Sequence, residues 1–270
     1  VDGEEIDLPH VLYLPTFAAT AWYHGAIANK PVSLQAYLDE VERFAYTEYA
    51  PALMQGYVLP EAQKKAIAAK LAAYTGTSAD FWERADLRVS HRQFLQELKR
   101  GQRMIAGRID SRFVGPAVNP LGEKMDYDPF FPAVGPAYTA AFLDYLHSDL
   151  KFGKDENYVV SAFGIEWDWK HKRPGQGGWM SPVPNTVPDL AMAMTYNPGL
   201  NVLVLQGYYD LATPYLATKN DVAHLDIPAE ARKRVDIQYY DAGHMMYLHE
   251  PSMRKFRDDV AGFVRRTDRL

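Results

Sequence analysis

Two residues in the last third of the chain have the types and the spacing for proton transfer. Asp210 closes the stretch LQGYYD, and His244 follows Gly243 in DAGH. An aspartate that accepts one ring N–H of a histidine leaves the other ring nitrogen free to take a proton from a hydroxyl, which is how an acid and a base activate a serine. Taken singly, each residue has a plainer reading. Asp210 suits a turn or a helix cap ahead of LATP, and His244 suits a structural histidine with a satisfied hydrogen bond. A metal reading that joins His244 to His249 and His224 lacks an H-E-x-x-H motif or a carboxylate-flanked ligand set. What favours proton transfer is the placement of Asp and then His at the ends of consecutive predicted strands.

The elements that must hold the pair are the most regular part of the sequence. Asn201–Gly207 (NVLVLQG) is an aliphatic run closed by glycine, as expected of a strand buried on both faces. A helix opened by Pro214 is predicted to Leu225, a second strand over Val235–Asp241, and a helix from Pro251 with Met253, Phe256, Val260, Phe263 and Val264 on one face. This β, α, β, α order predicts parallel strands with both loops opening on the carboxyl edge of the sheet.

Upstream, Leu8–Tyr23 reads as a buried helix interrupted or kinked at Pro15. From Pro31 to about Arg112 the pattern predicts four short helices. Ser33, Ser78 and Ser90 stand as N-caps, Pro60 at a first helical position, and Gly76 and Gly101 at helix ends. Phe113–Pro132 reads as an ordered loop, Gly135–Leu150 as a helix, Tyr158–Phe163 (YVVSAF) as a short buried strand, and Lys170–Pro182 as an exposed loop.

Composition narrows the function classes. The 270 residues carry a net charge of −5 and 47% hydrophobic residues, which gives no electrostatic footprint for nucleic acid or an anionic membrane. No apolar run reaches the roughly 20 residues needed to cross a bilayer. With no cysteine, disulfides, thiolate zinc sites and a cysteine nucleophile are excluded. Glu166 and Asp168, flanked by Trp167 and Trp169, have a spacing that puts two carboxylates on one side of an extended segment, with the polar face of an edge strand as the default reading. For Tyr208, Tyr209, Tyr239, Tyr240 and Tyr247, aromatic packing at the strand ends is the expectation.

Three stretches, DLPHVLYLPTFAATAWYHG, NVLVLQGYYDLATPYLATKNDVAHL and IQYYDAGHMMYLHEPS, resemble the carboxyl-terminal portion of bacterial serine carboxypeptidases. The resemblance implies an α/β fold of the α/β-hydrolase type. In it residues 1–30 and 113–270 form the core portion, and residues 31–112 a helical cap over the active site. It further implies that Asp210 is the triad acid, that His244 is the base, and that Met245 lines the pocket for the released side chain. The substrate would be a peptide, no cofactor would be needed, and the setting would be exported or periplasmic. The sequence departs from the family at the nucleophile. No G-x-S-x-G elbow occurs in it. GTSAD around Ser78 is better read as an N-cap, and Ser161 is flanked by Val160 and Phe163, too bulky for the sharp turn the motif requires. The expectation is therefore that the serine sits on an upstream segment, and that VDGEEIDLPH marks a processing or cloning boundary. Another α/β-hydrolase, such as an esterase or aminopeptidase, and a non-catalytic interaction domain are the alternatives.

Overall fold

Helix α1 (Leu8–Tyr23) is apolar or small on nearly every side, and each position from Val11 to Ala21 is buried. A helix of that kind belongs in the middle of a core. The computed structural model, which describes residues 6–28, 30–161, 164–172 and 184–268, places it there: α1 packs against helices that precede Asp210 in the chain and against the helix that lies between Asp210 and His244. It runs through Pro15 without the expected interruption. Packing on all sides outweighs the loss of one backbone donor, which costs about 3 kcal/mol in an exposed helix.

Around α1 lie short helices that start where the sequence places their caps. Ser33 opens α2 (Leu34–Phe44) by accepting from the Ala36 N–H, and the chain continues through a π turn (Ala45–Tyr49) into α3 (Ala50–Gln55). The wider turn lies just ahead of Pro51, which has no N–H to bond the carbonyl four residues back. Pro60 stands just ahead of α4 (Glu61–Thr75), which ends at Gly76 in the left-handed region, φ +66°. Ser78 caps α5 (Ala79–Arg84), and Ser90 caps α6 (His91–Glu97) in a full capping box with Gln93. Gly101 ends no helix. It sits inside a 3-10 turn, Arg100–Gln102, because α6 already stops at Glu97.

Two short strands follow, the first in the stretch expected to be helical and the second in the stretch expected to be a loop. β1 (Met104–Ala106) and β2 (Val114–Pro116) pair antiparallel, with Ile105 opposite Gly115. Three residues per strand is too short for an alternation of apolar and polar positions to register. Helix α7 (Phe130–Asp144) begins five residues before the expected Gly135 and continues as a π turn, Tyr145–Asp149. The expected strand at Tyr158–Phe163 does not form over Tyr158–Ser161, where Val159 and Val160 are exposed. Its last two residues, and most of the Lys170–Pro182 loop, lie outside the described residues.

In the carboxyl-terminal third the predicted β, α, β, α order appears as β3 (Val202–Gly207), α9 (Tyr215–Ala223), β4 (Val235–Tyr240) and α11 (Glu250–Thr267), with two helices that the sequence pattern does not predict, α8 (Val187–Tyr196) ahead of β3 and α10 (Ala229–Arg232) ahead of β4. β3 and β4 are parallel and in register from Val202–Val235 to Gly207–Tyr240. The fold is thus a mixed helix and sheet structure, and among the described residues each sheet has two strands. β3 is not buried on both faces as its composition suggests. Only Gln206 and Gly207 are fully buried, because a two-stranded sheet leaves each strand one unpaired edge and thin cover. The apolar stripe of α11 is likewise half-covered, with Met253 44% and Val264 50% exposed.

One hydrophobic cluster joins α1, α2, α3, α4 and α6 to Tyr209, Leu211 and the start of α9. At about 25 cal/mol per Å² of apolar surface removed from water, this cluster is the main source of stability, and Tyr209, two residues after β3, is anchored directly in it.

Candidate active site

β3 ends at Gly207 and β4 at Tyr240, so the loops that follow leave the same edge of the sheet side by side. Their hydrogen bonding continues past the strands, Tyr208 N–H to Tyr240 O at 3.0 Å and Tyr209 N–H to Ala242 O at 3.0 Å. Close approach of the two loops requires a glycine at 207, because a Cβ there would overlap the carbonyl oxygens of Ala242 and Gly243.

Asp210 is buried, 1% exposed, and all its acceptor capacity is used. Oδ1 accepts from Ala212 N–H at 2.7 Å and Thr213 N–H at 2.9 Å; Oδ2 accepts from the Thr213 hydroxyl at 2.6 Å. The remaining partner of Oδ2 is His244 Nδ1, at 2.8 Å. The turn-type role of Asp210, capping LATP, and the histidine-binding role are thus both present, on separate oxygens.

The tautomer follows from the chemistry of the acceptor. A carboxylate has no proton to give, so Nδ1 carries the hydrogen and Nε2 of the neutral ring holds the lone pair. Thr213 Oγ1 also lies 3.3 Å from Nδ1, but its proton is committed to Asp210. The His244 side chain is 47% exposed, and among the described residues nothing hydrogen-bonds Nε2. The hydrogen bond to Asp210 raises the imidazole pKa above its ordinary value, and burial and the nearby Arg108 charge oppose that rise. The arrangement can accept a proton at Nε2 and stabilise the resulting imidazolium.

Other residues singled out in the sequence take structural positions. His224 Nδ1 bonds Asn220 O and His249 Nδ1 bonds Ser252 Oγ, both at 2.8 Å. Among the described residues no group of His, Asp and Glu is placed to hold a metal ion. Met245 is half-buried beside His244, while Met246 is buried against Tyr240 and Ala242. Tyr208 stacks on Tyr239 with ring centroids 5.4 Å apart, and both meet Tyr215 edge-on. Tyr209 packs against Tyr23, and Tyr240 donates to Asp259. Four of the five tyrosines are therefore packed as expected; Tyr247 is exposed. Glu166 and Asp168 lie on an exposed segment that forms no strand, and Asp168 accepts from the Lys170 N–H. Ser78 caps α5, and Ser161 is on the exposed stretch after α7.

Sequence reasoning missed Thr213 and the loop 107–113, which touches both halves of the pair. Thr213 carried a signal, since a hydroxyl three residues after a capping aspartate is a common partner for it. The loop carried none. No family model matches the chain, and no curated protein and no solved structure matches it either.

Proposed function

We propose that Asp210 and His244 are the acid and base of a Ser-Asp-His triad in a serine hydrolase, and that the reaction is removal of carboxyl-terminal residues from peptides. The observation that carries this reading is the 2.8 Å bond between Asp210 Oδ2 and His244 Nδ1, made across the carboxyl edge of two adjacent parallel strands with Nε2 left open. A structural histidine has no need of a buried carboxylate on one nitrogen and solvent on the other. On this reading the chain is the carboxyl-terminal part of an α/β-hydrolase fold, with the helices of residues 31–112 as its cap, and the serine comes from an upstream segment.

The chemistry follows from the tautomer. Nε2 takes the proton as the serine oxygen attacks the last peptide carbonyl, and Asp210 stabilises the charged ring. His244 returns the proton to the departing amine, and water then repeats the sequence on the acyl-enzyme. Met245, half-buried next to the base, is on this reading the residue that lines the pocket for the released side chain. Without a serine and its oxyanion donors, which are worth about 2.7–4 kcal/mol each, His244 has nothing to activate.

The test uses the whole gene product and a pair of peptides that differ only in a free or amidated carboxyl end. A carboxypeptidase cleaves the free acid and loses that activity on His244→Ala. Equal cleavage of acid and amide would point instead to an esterase or another hydrolase built on the same pair. Unchanged turnover in His244→Ala would overturn the assignment.

A further inference from the structure

The loop 107–113, between β1 and β2, hydrogen-bonds to both loops that carry the proposed acid and base. Around Asp210, Ser111 N–H donates to Tyr209 O and Leu211 N–H to Arg108 O, each at 3.0 Å. Around His244, its own N–H donates to Ile109 O at 2.8 Å. Gly243 N–H donates to Asp110 Oδ2 at 3.1 Å, and Arg112 Nη1 donates to Asp241 O at 2.8 Å.

Asp110 and Arg112 form one unit. The Asp110 carboxylate, 1% exposed, receives Arg112 Nη2 at 2.6 Å on Oδ2, and Arg112 Nε at 2.9 Å and its backbone N–H at 3.1 Å on Oδ1. Such a forked, buried pair has a fixed geometry that a lysine or a neutral residue does not reproduce. Gly243 fits against it only because it has no side chain; a Cβ there would overlap the Asp110 Cα, Cβ and Cγ. The loop is itself held from behind. Asp128 Oδ2 accepts from Arg108 and Ile109 N–H, Thr20 of α1 bonds the Ser111 hydroxyl at 2.6 Å, and His24 Nε2 donates to Ser111 O at 2.7 Å.

We propose that Asp110 and Arg112 are positioning residues, a buried ion pair that fixes the backbone of residues 241–244 and so keeps the His244 ring aligned with Asp210. This inference rests on the acid and base reading of that pair. Among the described residues the loop after β4 has no further strand to hold it, and the ring is tied to Asp210 by one side-chain bond. Loss of the guanidinium fork frees the carbonyl of Asp241 and loosens the partner of the Gly243 N–H, so the ring gains freedom to leave its acceptor. Misplacement of a catalytic group by about 1 Å costs roughly 100-fold in rate.

The test is Arg112→Lys in the whole gene product, which keeps a positive charge beside Asp110 and removes the fork. Two readouts are followed, the His244 ring titration by NMR and the kcat for peptide hydrolysis. Ser90→Ala, a helix-cap variant remote from the site, serves as a control for general loss of stability. The expected result is a His244 pKa that falls toward the ordinary imidazole value and a kcat lower by about 10- to 100-fold. KM should stay within about twofold, since no group that would contact substrate is altered, and Ser90→Ala should change neither readout. A folded Arg112→Lys protein with unaltered His244 titration and kcat overturns the proposal, as does an equal shift in Ser90→Ala. Asp110→Asn, which keeps the shape and removes the charge, repeats the test from the other side of the pair. If the wild-type protein hydrolyses no peptide, the carboxypeptidase reading fails, while the titration still decides whether Asp110 and Arg112 align the ring.

Discussion

Replacing Asp210 by Asn keeps the shape of the side chain and removes its charge. The backbone N–H groups of Ala212 and Thr213, at 2.7 and 2.9 Å from Oδ1, fix the oxygen end of the new amide. Its NH₂ group then faces Thr213 and His244, where the carboxylate accepted at 2.6 and 2.8 Å. A donor cannot receive Nδ1–H, so the ring must present its lone pair to the amide and move its proton to Nε2. That tautomer cannot accept a proton from serine, and kcat should fall about 10⁴-fold. Loss of a hydrogen bond to a charged group costs about 1.5–3 kcal/mol. Solvent around the half-exposed ring puts the stability loss at or below the low end of that range.

The pH dependence of this loss has a definite sign. His244 has a folded pKa raised above its ordinary value, chiefly by its bond to Asp210. The stability gained from that shift is fully present below the unfolded value of about 6.5 and is lost as pH rises through the folded one. The gap between wild type and Asp210→Asn should therefore be larger at pH 5.5 than at pH 9. Urea unfolding at both pH values, with NMR titration of the His244 ring, measures it. A gap that grows with pH, or a ring that keeps its raised pKa in Asp210→Asn, would refute the reasoning.

Other variants probe the supports of the pair. Thr213→Val removes the hydroxyl that donates to Asp210 Oδ2 and should lower stability by about 1–2 kcal/mol in thermal unfolding, with a smaller loss of activity than Asp210→Asn. Gly207→Ala drives a methyl into the carbonyls of Ala242 and Gly243; about 1–3 kcal/mol of strain and a displaced His244 loop should appear together, as a lower unfolding midpoint and a lower kcat. Ser90→Ala breaks the capping box of α6 at a cost of about 1 kcal/mol, and activity measured well below the unfolding temperature should stay at the wild-type level.

Helix caps and the meeting of two strand ends were readable in the sequence, and the contacts of the loop 107–113 were not. Ser33, Ser78 and Ser90 could be placed as caps because each acts on an N–H three residues ahead. Asp210 and His244 could be paired because parallel strands put consecutive loops on one edge, so chain order alone predicted their meeting. The strand expected at Tyr158–Phe163 rested on composition, and β-branched residues form strands only where a neighbouring strand receives them. β3 reads as fully buried from its aliphatic run, yet burial depends on how many strands lie beside it. The bond from Gly243 to Asp110 spans 133 positions, and no periodicity or motif connects them. Gly243 reads in the sequence only as the small residue ahead of His244. Its close contact with Asp110 shows the requirement to be one of space.

The most direct test of the central claim is labelling of the gene product, as its source cell makes it, with a fluorophosphonate probe for activated serines. Each polypeptide is then read by denaturing intact-mass spectrometry. If Asp210 and His244 serve a serine, the wild-type protein takes one label on a segment outside residues 1–270, and His244→Ala abolishes labelling with the fold intact. Absence of label in the wild-type protein, or labelling that persists in His244→Ala, would contradict the account.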